Sequence, residues 1–93
     1  MAKQKPIEID VVAIFNKGEA PRPHMFKVNG KKCYVDYIAE LFEDAPNEGE
    51  CYVYRCRSNM GEDSHSVVEY VYEIRFYIHE CKWVLQWMTK DGD

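Results

Sequence analysis

Several things are missing from these 93 residues, and each absence removes a class of protein. No apolar run approaches the ~20 residues that span a bilayer as a helix. The opening Met1-Ala2-Lys3-Gln4-Lys5-Pro6 has no apolar stretch behind its lysines, so no secretory signal is expected there and the predicted location is cytoplasmic. No two of the five glycines fall within a phosphate-cradling motif, and no CxxC pair marks a zinc or redox site. Strong helix formers never line up with a 3.6-residue period over a useful length. Only Ala39-Glu40-Leu41 favours helix, inside a segment rich in aromatic and β-branched residues. What is present is ample apolar material: 46% hydrophobic and 14% aromatic content, with 30% charged residues. That composition suits one small globular domain over 1–93, with tails at 1–6 and 89–93, and argues against disorder.

The net charge of −4 is unevenly spread. Residues 1–36 carry seven Lys/Arg against four Asp/Glu, a balance of +3, while the remainder carries five against twelve, a balance of −7. An acidic whole argues against indiscriminate binding to a phosphate backbone but leaves room for a local basic patch. The four cysteines are Cys33, Cys51, Cys56 and Cys81. Cys51 and Cys56 sit an odd number apart on one expected strand, which puts them on opposite faces and roughly 16 Å apart. A bridge tolerates only ~7 Å. Reduced thiols acting as small hydrophobes are the expectation, rather than a zinc site built with His24, His65 or His79. No cofactor is implied.

Period-two patterning predicts six strands, at about 7–15, 24–29, 32–42, 50–58, 67–78 and 81–88. If His79-Glu80 is a two-residue loop, facing residues of the last pair sum to 159. Ile78, Phe76, Ile74 and Tyr72 then face Cys81, Trp83, Leu85 and Trp87 on one apolar side. The other side pairs Tyr77 with Lys82, Arg75 with Val84, Glu73 with Gln86 and Val71 with Met88. A slip by one residue would destroy this separation. Asn29-Gly30 is the preferred pair for a type I′ turn, so Phe26 should face Cys33, Met25 face Tyr34 and Lys27 face Lys32. The inward set expected of the long third strand is Cys33, Val35, Tyr37, Ala39 and Leu41, and that of the fourth is Tyr52, Tyr54 and Cys56. Asn16 to Pro23, Pro46 to Gly49 and the polar stretch Ser58 to Ser66 read as connections. The predicted fold is all-β: a six-stranded antiparallel sheet made of hairpins, strongly curled or closed into a small barrel that hides its edges.

These residues also carry a resemblance. Pro6-Ile7-Glu8-Ile9, Pro23 with Phe26, the strand from Gly30 through Cys33-Tyr34-Val35-Asp36 to Ile38, Tyr54-Arg55-Cys56-Arg57, Tyr72-Glu73-Ile74 and Trp83 with Leu85 run in order along the chain. Together they resemble a group of short bacterial proteins of unknown function common in clostridia-like Firmicutes. The resemblance implies a small β domain and carries no activity or catalytic residue with it.

Signals for catalysis are thin. Asp63-Ser64-His65-Ser66 holds triad residue types, but side by side in an expected loop, with no nucleophile elbow. His79 beside Glu80 is a turn residue, and the acid pairs Glu43-Asp44 and Glu62-Asp63 show no sign of burial. A non-enzymatic interaction module is therefore expected. Its first candidate surface is the outward face of the last hairpin, where Val71, Val84 and Met88 cluster beside Tyr77 among wet neighbours. A second copy of the chain or another protein would bind there. The alternative is single-stranded nucleic acid on a basic-aromatic face made of Arg22, Met25, Lys27, Lys31, Lys32 and Tyr34.

Overall fold

A computed structural model describes residues 5–47, 49–63 and 66–90, and of 60–63 and 66–67 the backbone alone. Its eight strands are β1 (Ile7–Ile9), β2 (Val11–Ile14), β3 (Arg22–Val28), β4 (Lys31–Tyr34), β5 (Tyr37–Asp44), β6 (Cys51–Asp63), β7 (Ser66–Tyr77) and β8 (Lys82–Lys90). Among the described residues there is no helix. The strands form two antiparallel sheets, β1-β8-β7-β6-β5 and β2-β3-β4. The fold is thus all-β, as the patterning requires, but it is neither one six-stranded sheet nor a closed barrel.

Two of the expected strands each break at a corner, and this accounts for the count. The segment 7–15 divides at Asp10 into β1 and β2, which belong to different sheets. Its alternation continues through the corner, so Ile9 lies in the core and Val11 and Ala13 pack against it. The segment 32–42 divides at Val35-Asp36 into β4 and β5, again in different sheets. Here the alternation does change. Cys33 is buried and Val35 packs on the core, but Ile38 is the next to do so, while Tyr37 is exposed. A bulge between Ile38 and Glu40 shifts the phase again, and Leu41 lies on an uncovered part of the sheet, 48% exposed. The inward set expected for Tyr37, Ala39 and Leu41 fails for this reason. A strict period of two cannot register an added residue.

Both hairpins keep the predicted register beside their turns, but residues 78–81 form the second turn, so the expected Ile78–Cys81 pair on the apolar side does not form and Cys81 is exposed. Met25, Phe26, Lys27 and Val28 face Tyr34, Cys33, Lys32 and Lys31, around a turn in which Asn29 (φ 52°) and Gly30 (φ 80°) are both left-handed. Tyr77, Phe76, Arg75 and Ile74 face Lys82, Trp83, Val84 and Leu85. Beyond that the register shifts: Glu73 faces Trp87, Tyr72 faces Met88 and Val71 faces Thr89. Gln86 is the added residue, and Met88 is turned to pack against the core rather than outward. The stretch from Ser58 is strand rather than loop, since β6 runs unbroken to Asp63 opposite β7. Its polar composition misleads because Ser58 is buried with its hydroxyl satisfied, donating to the Tyr34 carbonyl and bonded to the Tyr72 hydroxyl.

The sheets share one core. Phe26 and Cys33 of the smaller sheet meet Tyr54, Cys56, Tyr72, Ile74, Phe76, Trp83 and Leu85 of the larger. The Phe26 and Tyr72 rings meet edge to face at 5.1 Å, and Phe76 and Trp83 lie on the same side of the ribbon at 4.8 Å. The Tyr54 hydroxyl donates to the Pro21 carbonyl, tying the β2–β3 connection to this core. Among the described residues no buried side-chain nitrogen or oxygen lacks a hydrogen-bond partner.

The turn at Gly30 offers a direct test. A Cβ there would meet nothing within 4 Å, so its cost is conformational alone. Gly30→Ala is expected to lose about 1 kcal/mol from the left-handed backbone. A thermal melt should show Tm lower by roughly 4–8 °C with cooperativity retained.

Candidate interaction surfaces

The last hairpin does not present the apolar face expected of it. Tyr77 (5% exposed) and Val84 (8%) are buried with Cys51 and Val53 on the side of the large sheet that faces away from the small one. The cover comes from long side chains lying along the sheet. The Lys82 ammonium stands 5.7 Å from the Tyr77 ring centre, and the Arg55 guanidinium 5.4 Å from that of Phe42. Glu73 is almost fully buried, its carboxylate accepting from Arg55 Nε at 3.2 Å and Arg75 Nε at 2.9 Å. Lys and Arg stems can bury apolar surface in this way while their heads stay wet. What remains open there is a shallow pocket of about 260 Å³ lined by Pro6, Glu8, Tyr77, Lys82, Val84 and Gln86. Of the four hairpin candidates, Tyr77 and Val84 come together. Val71 is half-buried opposite Arg57 and Thr89, and Met88 lines a cavity of about 200 Å³ on the core side with Val28, Lys31, Cys33 and Tyr70.

The outer face of the small sheet is the exposed one. Phe26 and Cys33 fill its inner side, so the pleat turns Met25, Lys27, Lys32 and Tyr34 outward. Lys31 alternates to the other side and lines the cavity with Cys33. β2 adds residues that the sequence reading left out. Val12 faces Met25 and Ile14 faces Arg22, and they are 58% and 48% exposed. Val12, Met25 and Tyr34 (59% exposed) therefore form a row across all three strands, with Lys27 and Lys32 on one side and Arg22 on the other. The alternation of Val11 and Ala13 with Val12 and Ile14 was the available signal. It could not be used without knowing that β2 pairs with β3.

A third exposed surface is the β5 edge, where Tyr37, Leu41 and Phe42 interleave with Glu40, Glu43 and Asp44. Residues singled out for chemistry do not assemble. Ser64 and His65 lie outside the described residues. His79 Nε2 is 3.5 Å from the Glu50 carboxylate at an exposed turn, and His24 is exposed on β3. Among the described residues no three His, Cys, Asp or Glu side chains converge as a metal site would need.

Cys33, Cys51 and Cys56 are buried, while Cys81 is exposed in the β7–β8 turn. Cys51 and Cys56 belong to opposite faces of β6. Burial pushes the Cys56 thiol up to about 12, with the neighbouring Cys33 adding to the effect, and burial also raises Cys33. Two outcomes are expected. A thiol reagent should label one cysteine quickly in the native protein and three more only on unfolding. Because Cys56 holds its proton in the fold more tightly than an ordinary thiol near 9.0, its contribution to stability is complete below pH 9 and lost as pH rises towards 12. Denaturant midpoints should fall over that interval, and less steeply in Cys56→Ala.

No protein-family model matches the chain, and no solved structure matches it. SHC-transforming protein 4 of Mus musculus is 33% identical over 51 residues, which are 55% of this chain and 8% of that protein.

Proposed function

We propose that this protein is a non-enzymatic interaction module that binds another polypeptide through the outer face of its small sheet. The observation that carries this reading is the Val12–Met25–Tyr34 row, in which Val12 and Tyr34 are exposed on either side of half-buried Met25 while the opposite faces of those strands fill the core. An antiparallel sheet facing water would normally be polar there. The flanking Lys27, Lys32 and Arg22 select a partner that is acidic as well as apolar. The row also favours a polypeptide over a single-stranded nucleic acid. Bases need successive rings to stack on, and Tyr34 is the one aromatic ring in the row, beside two aliphatic side chains.

The test is comparative capture. Immobilised protein should retain a polypeptide from nuclease-treated lysate of its source, and Val12→Thr/Tyr34→Thr should lose it while melting like the parent. Removing such an anchor typically costs about 2 kcal/mol, roughly 30-fold in affinity. A fluorescent oligothymidine provides the counter-test. Binding to it that weakens steeply with salt, and that requires Tyr34, would replace this reading with the nucleic-acid one.

A further inference from the structure

The chain itself carries a surface whose chemistry complements the small-sheet face. We infer that the occupant of the small-sheet face is the β5 edge of a second copy, in a two-fold dimer that uses each surface twice. This inference rests on the function proposed above and names the partner for it.

Charge is the first argument. The face offers Arg22, Lys27 and Lys32, and the β5 edge offers Glu40, Glu43 and Asp44, in keeping with the +3 and −7 balances of the two parts of the chain. Lys27 lies directly opposite Lys32, an arrangement of like charges that costs free energy until a carboxylate is brought beside it. Glu40 is 3.6 Å from Arg55 but its side chain is 56% exposed, so it keeps a side open to a second cation. Apolar surface is the second argument. Leu41 (48%) and Tyr37 (60%) are exposed along the strand that carries those acids, as Val12 and Tyr34 are exposed among the bases.

Position is the third. β4 and β5 end their respective sheets, and only Val35 and Asp36 separate them. Both surfaces therefore border one flank of the molecule. A two-fold axis at that flank sets the face of each protomer against the edge of the other and closes the assembly at two copies. A one-sided contact of the same surfaces would propagate into chains. Among the described residues β5 also has a neighbour on one side alone, which leaves its outer backbone groups available to the partner.

Sedimentation equilibrium on the full chain tests this. Wild type is expected to dimerise at low salt and to dissociate at high salt. Lys27→Glu/Lys32→Glu and Glu40→Lys/Glu43→Lys should each be folded by circular dichroism and monomeric, with dimer affinity reduced tenfold or more. Mixed in equal amounts they should dimerise again, because the reversed face of one meets the reversed edge of the other while the two native surfaces still pair. If a reversal variant does not fold, the neutral pair Lys32→Ser and Glu43→Gln replaces it, each expected to weaken the dimer. A monomeric wild type at low salt overturns the inference. So does a mixture that stays monomeric, or a dimer indifferent to both reversals. A monomeric wild type that still captures a polypeptide through Tyr34 leaves the interaction module standing with a different partner, whereas loss of both removes the two readings together.

Discussion

A strand that leaves one sheet for another frees backbone groups at the corner, and these need new partners. The fold depends on this being met twice. At the first corner the Asp10 carbonyl accepts from Lys27 N–H at 3.4 Å. At the second, Val35 N–H donates to the His24 carbonyl at 2.9 Å, the Ser58 hydroxyl donates to the Tyr34 carbonyl, and the Asp36 carboxylate accepts from Asn59 N–H at 2.7 Å. Ser58 gives its only proton to Tyr34, so the Tyr72 hydroxyl donates to Ser58 in turn. These corners lay β3 and β4 over β6 and β7, bring Phe26 onto Tyr72, and leave the small sheet's other face outside.

The two outer faces are treated differently, and that difference directs the functional reading. On the large sheet Arg55 lies over Phe42 and Lys82 over Tyr77, and Glu73 is buried between the guanidinium groups of Arg55 and Arg75. Removing one partner of such a cluster would strand a charge, so these side chains are held in place over the sheet. On the small sheet Val12 and Tyr34 stay exposed on either side of half-buried Met25.

Much of the local structure could be read directly. Asn29-Gly30 set its own turn and register, because few other residue pairs tolerate two left-handed positions. The aromatic alternation of Phe76 and Ile74 against Trp83 and Leu85 set the last hairpin, because any slip would wet the core. The basic-aromatic face followed from the first of these, with Met25, Lys27, Lys32 and Tyr34 outward together.

Other features were decided between segments distant in sequence. The bulge at Gln86 turned Met88 inward and dissolved the expected patch with Val71, although nothing in the local pattern marks an added residue. Ser58 reads as a loop residue until its partners at Tyr34 and Tyr72 are known. Val12 joins Tyr34 only through the pairing of β2 with β3 and β3 with β4. By itself the sequence determined an all-β chain, its two tight hairpins and its charge asymmetry, all of which rest on near-neighbour sterics, period-two patterning and composition. Tertiary structure alone decided the two corners, the bulges and which outer face was left uncovered, because each is settled by hydrogen bonds and packing that form only when the sheets meet.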